Sequence, residues 1–216
     1  MSACLYPVNL DLDGRPVLVV GGGRVAATKA AGLANAGAQV TVVAPEAVDE
    51  IADDHRVRWH QRPYRRGEVT AYRLVVTATG HEAVDQQVYW DAEAADVWLN
   101  SADDPAHCSF TLPAVSRRDD LQVAVSTNGR SPAVAAWLRR TIDSAIGPEH
   151  GTVLALATEV RAELRESTGT SESPAWVDAL DDDLLDLVRA GDRDGARARL
   201  RTALGLDGPL VDGASR

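Results

Sequence analysis

The chain has 216 residues, 45% of them hydrophobic and 25% charged, and its formal net charge is −10 at pH 7. This composition is typical of a globular protein with one domain, or with one domain and a smaller appendage. The negative charge argues against a nucleic-acid partner. No apolar run approaches the ~18 residues of a membrane span, and the first residues lack the basic and apolar regions of a signal peptide. We therefore expect a cytoplasmic protein that contacts no membrane.

A glycine-rich turn follows the first apolar, β-branched run. Residues 17–26 read Val-Leu-Val-Val-Gly-Gly-Gly-Arg-Val-Ala, and Gly21, Gly23 and Ala26 fit the G-x-G-x-x-G/A pattern of a dinucleotide-binding βαβ unit. Gly21 can take backbone angles that a β-carbon forbids, and Gly23 lets the main chain approach a pyrophosphate. The following helix offers unpaired N–H groups and its positive dipole end to the phosphates. The pattern predicts nucleotide binding; a plain tight strand–helix turn is the alternative.

Strand and helix patterns alternate through the first half of the chain. Strands are predicted at Pro16–Val20, Gln39–Val43, Val57–His60, Leu74–Thr77 and Val97–Asn100. Helices are predicted at Val25–Ala36, with Val25, Leu33 and Ala36 near one face, and at Glu82–Ala94. Strands separated by helices predict a Rossmann-like α/β fold, in which crossover helices cover a parallel sheet.

The pattern changes after residue 110. Two β-prone segments, Thr111–Ser116 and Leu121–Ser126, flank Arg117-Arg118-Asp119-Asp120, which predicts an antiparallel β-hairpin. Ser131 then suits the N-cap of a helix that continues to residue 146.

The rest of the chain is predicted to be mainly helical. Helices are expected at Thr152–Glu166, Trp176–Ala190 and Asp194–Leu204, with a polar loop at Ser167–Pro174 and a frayed end from Leu206 to Arg216. The chain thus divides into a Rossmann domain (1–112), a dimerisation hairpin and helix (113–147) and a small C-terminal helical domain (148–216). Because this length leaves no large second domain to close over a substrate, we expect a second copy to complete the cleft through the hairpin and its helix.

Two features bear on the choice of nucleotide. Glu46 lies just past the second strand, near the position at which dinucleotide-binding folds place the acid that holds a ribose; a solvated loop acid is the alternative. No arginine sits near the end of that strand to hold a 2′-phosphate, so NAD is favoured over NADP. His81 follows the fourth strand at the same sheet edge, where ligands of parallel sheets bind.

Two adjacent acids follow the fifth strand. Asp103 or Asp104 can serve as general base or acid beside a nicotinamide, and a turn built by Asp-Asp-Pro is the alternative. His107 and Cys108 could ligate a metal, but two residues do not make a site, and packing or turn roles are the alternative.

Small polar residues, Ser126-Thr127-Asn128-Gly129-Arg130, precede the helix that Ser131 opens. An anion can settle at a helix N-terminus, whereas capping and turn formation need no ligand. Arg117, Arg118 and Arg130 flank this cluster and could meet substrate carboxylates.

Four stretches of the chain form a joint pattern. They are Tyr6-Pro7-Val8 with Leu10, residues 19–26 with Lys29, Asn100 through Asp103 to Pro105 with Ser109-Phe110, and residues 123–129 with Ser131-Pro132. In order and spacing the pattern resembles the precorrin-2 dehydrogenase/sirohydrochlorin ferrochelatase family, the dehydrogenase module of siroheme synthase. The resemblance covers residues 5 to 165 well and the helical tail loosely.

The resemblance implies that NAD⁺ oxidises precorrin-2 to sirohydrochlorin, in some members with subsequent insertion of Fe²⁺ to give siroheme. It places the catalytic aspartate at Asp103, three residues after Asn100, and the same carboxylate could hold Fe²⁺ transiently. It also implies a homodimer, and a separate uroporphyrinogen methyltransferase that supplies the substrate.

The resulting site predictions form two sets. The residues expected to bind the cofactor are Gly21, Gly22, Gly23, Arg24, Val25, Pro45, Glu46 and Thr79. The residues expected to bind the substrate are Asn100, Ser126, Thr127, Asn128 and Ser131. Thr127 stands where the family carries a serine that some members phosphorylate, and Asn128 stands where the family carries a glycine. Gly80-His81 stand where the family often carries acids.

Two other functions share the glycine turn. A non-catalytic NAD-sensing regulatory module would need neither the Asn100–Asp103 motif nor the hairpin, and would usually carry a clear acid where this chain has Ala44. A dehydrogenase of a small alcohol or acid would need a substrate domain of its own, for which this chain has no room.

Overall fold

The computed structural model describes residues 5–207, which form two compact units. The first unit extends to Leu112 and includes Asn128–Arg130; the second consists of Pro113–Thr127 and the chain from Ser131 onward. The predicted fold class, a Rossmann-like parallel sheet followed by a hairpin and helices, is confirmed. Of the end expected to fray, residues 208–216 lie outside the described part of the chain, and Leu206 is buried against the helical core.

The first unit is built on a five-stranded parallel sheet with the strand order β3-β2-β1-β4-β5. Its strands are β1 (Pro16–Val20), β2 (Gln39–Ala44), β3 (Val57–Gln61), β4 (Leu74–Thr77) and β5 (Trp98–Ser101). The bounds of β1 and β4 are as predicted, β2 and β3 extend one residue further, and β5 lies one residue later. Runs of buried β-branched residues form strands of this kind because both faces of the sheet are covered.

Three helices and a 3-10 turn cover the two faces of this sheet. The helices are α1 (Arg24–Asn35), α2 (Asp49–Ala52) and α3 (Glu82–Ala95), and the 3-10 turn is Glu68–Ala71. One face packs with α1 and α2 around Val17, Val19 and Val42, and the other packs with α3 around Leu18, Val20 and Val75. Neither α2 nor the 3-10 turn was predicted, because four residues carry too little periodicity to be recognised.

The predicted face of α1 is correct at Leu33, which packs against the core of the sheet, and wrong at Val25 and Ala36, which are exposed. Its buried residues are Ala26, Ala27 and Ala30, whereas Val25 is more than half exposed. The helix begins directly after the glycine turn and lies close against the sheet there, so its first turns pack through the small side chains of alanines.

The second unit begins with an antiparallel hairpin, as predicted. Its strands are β6 (Ala114–Arg118) and β7 (Leu121–Val125), and Arg118 pairs directly with Leu121. The predicted turn was too long, because both of its arginines belong to β6. The chain reverses in two residues, and Asp119 takes the left-handed backbone conformation (φ +51°) that aspartate tolerates better than most residues.

Helix α4 (Pro132–Ala145) follows the hairpin and is tied to it by Asp143. Ser131 caps the helix as predicted, its Oγ accepting from Val134 N at 3.2 Å. Ser116 Oγ in β6 donates to Asp143 Oδ1 at 2.5 Å, and Arg139 Nη1 donates to Oδ2 at 2.5 Å. The Ser116 hydrogen bond, with the charges of Arg139 and Arg118, holds the pKa of Asp143 below its usual value.

Four further helices complete the second unit: α5 (Pro148–Thr168), α6 (Trp176–Ala179), α7 (Asp182–Arg189) and α8 (Arg193–Ala203). Helix α5 is longer than predicted, so the predicted polar loop starts later, at Gly169. The helix predicted over 176–190 is interrupted, because the side chain of Asp181 accepts from Leu184 N at 2.9 Å and starts a new helix there. Leu156, Leu184 and Leu200 lie at the centre of the core that these helices share.

We expect Leu156→Ala to lower the free energy of unfolding of the second unit by about 2–5 kcal/mol, because the side chain is fully buried and its removal leaves a cavity. Leu154→Ala, on the same helix but 37% exposed, is the matched control and should cost less than about 1 kcal/mol. Denaturant unfolding followed by circular dichroism measures both. Equal losses of stability in the two variants would contradict the burial of Leu156 in this core.

Acid should weaken the link between the hairpin and α4. Since the pKa of Asp143 is depressed in the folded state, its contribution is present above the ordinary aspartate pKa and is lost as the pH falls through the lower folded value. We expect Ser116→Ala to reduce this loss of stability, which sets in below about pH 5. Ser144→Ala, on α4 and bonded to the carbonyl of Thr141, serves as control. An unchanged pH dependence in Ser116→Ala would refute the link.

Candidate nucleotide-binding site

The glycine turn after β1 is packed against two neighbouring loops. Gly21 has φ +127°, and a β-carbon there would collide with the carbonyl of Ala78, just after β4. A β-carbon on Gly22 would collide with the carbonyl of Glu46, just after β2. The turn is also hydrogen-bonded to this loop, since Val48 N donates to Gly22 O at 2.9 Å. Only glycine allows backbones to approach this closely.

Gly23 differs from the two glycines before it. A β-carbon there would meet nothing within 4 Å, so the residue faces open space. It is the N-cap of α1 and has no side chain to cap the helix. The N–H groups of the first turn of α1 are therefore free to meet an anion, and a pyrophosphate fits this cradle of backbone donors.

A cleft of about 590 Å³ opens over the turn, within the size range of small-molecule sites. Six of the eight residues predicted to bind the cofactor line it: Gly21, Gly22, Gly23, Pro45, Glu46 and Thr79. The other two, Arg24 and Val25, lie in the exposed first turn of α1 and are not among its lining residues. None of the described lining residues is an arginine or a lysine.

Pro63 and Tyr64 form a further wall of this cleft that the sequence did not predict. Tyr64 Oη donates to Asp91 Oδ2 at 2.8 Å, and the same oxygen accepts from Gly67 N at 2.7 Å. Asp91 Oδ1 accepts from Gln87 Nε2 at 2.9 Å. Burial, and then the bond to Asp91, raise the pKa of Tyr64, so the phenol is neutral at physiological pH. The buried carboxylate on α3 thus holds the loop after β3 in place.

The loop that carries Asp103 follows β5 and is held together by many hydrogen bonds. Asn100 Nδ2 donates to Phe110 O at 3.0 Å, and Ser109 Oγ accepts from Leu99 N at 2.6 Å. Cys108 Sγ contacts the backbone of Ser101, at 3.2 Å from its nitrogen and 3.3 Å from its oxygen. Burial raises the pKa of the Cys108 thiol, which fits the predicted packing role and not that of an exposed ligand.

The two adjacent acids of this loop have different environments. Asp104 caps the 3-10 turn Pro105–His107, accepting from Ala106 N at 3.0 Å, and its other oxygen lies 2.6 Å from His107 Nδ1. Asp103 is exposed and has no hydrogen-bond or ion-pair partner within residues 5–207. The Asp-Asp-Pro turn is therefore built by Asp104, and the carboxylate of Asp103 is available to a ligand. The ring of His107 also packs on Tyr89, with centroids 4.1 Å apart.

The residues predicted to bind substrate have partners within the chain. Asn100 is buried and its amide supports the loop just described. In the second unit, Thr127 Oγ1 bonds to both the N and the O of Ser131 at 3.2 Å, and Ser131 caps α4. Ser126 is exposed after β7, and Asn128 has φ +51°. Their contacts with substrate stay predictions.

The described residues hold no cluster of three or more histidine, cysteine or acidic side chains that could bind a metal ion. Within the same part of the chain, no helix combines the length and the apolar character needed to cross a membrane.

Comparisons with known proteins agree with this geometry. Residues 8–114 match the model of a family described as putative NAD(P)-binding, and residues 118–145 match that of the sirohaem biosynthesis protein central domain. The siroheme synthase of Nitrosococcus oceani is 34% identical over 203 residues, and that of Methylobacillus flagellatus is 33% identical over 212. The chain belongs to the family of sirohaem biosynthesis proteins that includes the siroheme synthases.

This chain is shorter than the siroheme synthases that it matches. The two alignments cover 92% and 96% of this chain but 43% and 45% of the relatives, so the chain spans less than half of either. A solved structure named SirC, precorrin-2 dehydrogenase, matches with a TM-score of 0.71 at 24% identity, covering 92% of this chain and all of that one. This match shows that the two proteins share a fold.

Serine substitutions should separate the structural glycines from the binding glycine. Gly22→Ser places a β-carbon against the carbonyl of Glu46 and should cost about 1–3 kcal/mol of stability. Gly23→Ser enters open space and provides a good N-cap, so the thermal midpoint should be retained while dinucleotide binding is lost. Thermal unfolding and calorimetric titration with NAD⁺ measure the two effects. Undiminished binding by Gly23→Ser would rule out the pyrophosphate cradle.

Proposed function

We propose that this chain oxidises precorrin-2 to sirohydrochlorin with NAD⁺. The observation that carries the proposal is Asp103, an acid without a partner among the described residues, in a rigid loop after β5 of a sheet whose β1 ends in a glycine cradle. Ligands of parallel sheets bind at this edge, and a cofactor and a general base are both needed to remove two hydrogens from a substrate.

The proposed cofactor site lies in the first unit. Backbone N–H groups at Gly23 and the start of α1 would hold the pyrophosphate, with Arg24 and Val25 beside it, and Glu46 with Pro45 would hold the ribose. Thr79 lines the cleft after β4. When bound, NAD⁺ supplies the acceptor for the hydride that leaves the substrate.

Asp103 has the proton-transfer role in this proposal. Oxidation of precorrin-2 to sirohydrochlorin removes a hydride and a proton, and the Asp103 carboxylate takes the proton. The side chain is exposed in this chain, so the substrate itself must cover it and exclude water. Asn100 keeps the Asp103 loop in shape through Phe110 and would orient groups of the substrate. Ser126 is proposed separately as a substrate-binding residue.

The hairpin and α4 are proposed as the dimerisation element (113–147), between the Rossmann domain (1–112) and the C-terminal helical domain (148–216). Apolar side chains on α4 support this proposal, since Val134 is 43% and Trp137 is 57% exposed. Burial of such residues favours association with a second copy. The loop from Ser126 to Ser131, with Thr127 and Asn128, would meet the carboxylates of the tetrapyrrole.

Insertion of Fe²⁺ into sirohydrochlorin is proposed as a second reaction at the same site. Here Fe²⁺ is a substrate, which needs a base to take the pyrrole protons and one transient ligand. Asp103 could serve in both roles. The relatives that carry the name siroheme synthase support this step.

We expect Asp103→Asn to lower the rate of NAD⁺-dependent oxidation of precorrin-2 by about 100-fold or more, because an amide cannot accept the proton. Asp104→Asn is the matched control: an amide oxygen can still accept from Ala106 N, so its rate should stay within a few-fold of wild type. NADH absorbance under anaerobic conditions measures both variants. A near wild-type rate for Asp103→Asn would show that the base lies elsewhere.

The same proteins distinguish the remaining functions. An anaerobic assay with sirohydrochlorin and Fe²⁺, compared with the spontaneous rate, tests the chelatase step, and loss of any enzymatic rate in Asp103→Asn would assign both reactions to one carboxylate. An NAD-sensing module would bind NAD⁺ and turn over no precorrin-2 in the wild-type chain.

A further inference from the structure

The fold places an arginine beside the end of β2, although none lies near that strand end in the sequence. Arg62 is the first residue after β3, and its backbone N donates to the carbonyl of Ala44, the last residue of β2, at 3.1 Å. Pro45 and Glu46, which follow Ala44, line the cleft on one side, and Pro63, which follows Arg62, lines it on another. In dinucleotide-binding folds the end of β2 meets the adenosine ribose, which carries the 2′-phosphate in NADP.

The guanidinium of Arg62 pairs with Glu68 through both of its Nη atoms. Arg62 Nη1 donates to Glu68 Oε1 at 3.0 Å and Nη2 donates to Oε2 at 2.6 Å. Nη1 also donates to Pro63 O at 3.0 Å. The side chain of Arg62 is 24% exposed and that of Glu68 is 16% exposed, so this bidentate ion pair is shielded from water more than an ordinary surface ion pair.

The charges of the pair are stable. The hydrogen bond to Glu68 raises the pKa of Arg62. Burial opposes the ionisation of Glu68, but hydrogen bonds from Arg62 and from Arg65 N, at 2.7 Å, outweigh it and hold the pKa of Glu68 below its usual value. The loop is held at its other side by Asp91, which accepts from Tyr64 and Gly67. The ion pair between Arg62 and Glu68 therefore persists through the physiological range of pH.

An arginine fork binds a phosphate with the same paired geometry as a carboxylate. Engaged by Glu68, Arg62 is withheld from a ligand, and the one carboxylate among the described lining residues of the cleft is Glu46. We propose that Glu68 is a specificity-determining residue, which keeps Arg62 away from the ribose end of the cleft and so selects the dinucleotide without a 2′-phosphate. This inference rests on the proposed function, since it concerns the same cofactor site.

The test is Glu68→Gln in the full chain, with NAD⁺ and NADP⁺ binding measured separately by calorimetry. Glutamine keeps the volume of Glu68 and an acceptor for Arg65 N but cannot neutralise Arg62. We expect the affinity for NADP⁺ to rise about fivefold or more while that for NAD⁺ stays within about twofold of wild type. The double variant Arg62→Gln/Glu68→Gln should lose the gain.

Two controls separate other causes. Glu172→Gln removes one negative charge from the exposed pair with Arg161 in the second unit, and should leave both affinities unchanged. If Glu68→Gln proves too unstable to measure, Glu68→Asp is the alternative variant, because it keeps the charge on a shorter side chain. Its weaker ion pair with Arg62 should give a smaller gain in NADP⁺ affinity.

The outcomes separate this inference from the function on which it rests. A Glu68→Gln protein that binds NAD⁺ normally and NADP⁺ no better than wild type overturns the inference alone. A gain that survives in the double variant also overturns it, because Arg62 would then not be its source. A wild-type chain that binds neither nucleotide overturns the proposed cofactor, and the inference with it.

Discussion

The first unit depends on the close backbone contacts that the turn after β1 makes with the loops after β2 and β4. Gly21 packs on the carbonyl of Ala78 and Gly22 on the carbonyl of Glu46, without any side chain between them. This contact brings the ends of β1, β2 and β4 to one edge and leaves Gly23 facing open space. The shape of the cleft thus follows from main-chain packing, and its lining side chains add selectivity to a cavity that already exists.

The described carboxylates of this chain differ in the number of partners they have. Asp91, Glu68 and Asp143 each accept two or more hydrogen bonds and hold a loop or a hairpin in place. Asp104 does the same for the turn beside Asp103. A carboxylate saturated by internal donors has little capacity left for a ligand, whereas one supported by a rigid loop and left without a partner can react.

Sequence reasoning succeeded where a local pattern decides the structure. Buried β-branched runs gave β1 and β4 to the residue, and Ser131 was identified as an N-cap from its type and place. It failed where a neighbour in space decides. The packed face of α1 was wrong at Val25 because the closeness of the sheet selects alanine there. The helix predicted over 176–190 ends early because Asp181 caps a new one.

Predictions of the site succeeded and failed for the same two reasons. The glycine turn and the acids after β5 were visible in the sequence because they follow strands directly. Pro63 and Tyr64 were missed because a loop without periodicity carries them to the cleft. The expectation that no arginine follows the second strand holds along the chain but not in space, since parallel pairing of β3 with β2 brings Arg62 to Ala44.

The chain passes between its two units three times, after Leu112, after Thr127 and after Arg130. A single cut between residues 112 and 113 therefore cannot release the nucleotide-binding unit whole, since Asn128–Arg130 would stay covalently joined to the hairpin on one side and to α4 on the other. The residues of the two units therefore alternate along the sequence, so a fragment that ends at Leu112 lacks three residues of the first unit.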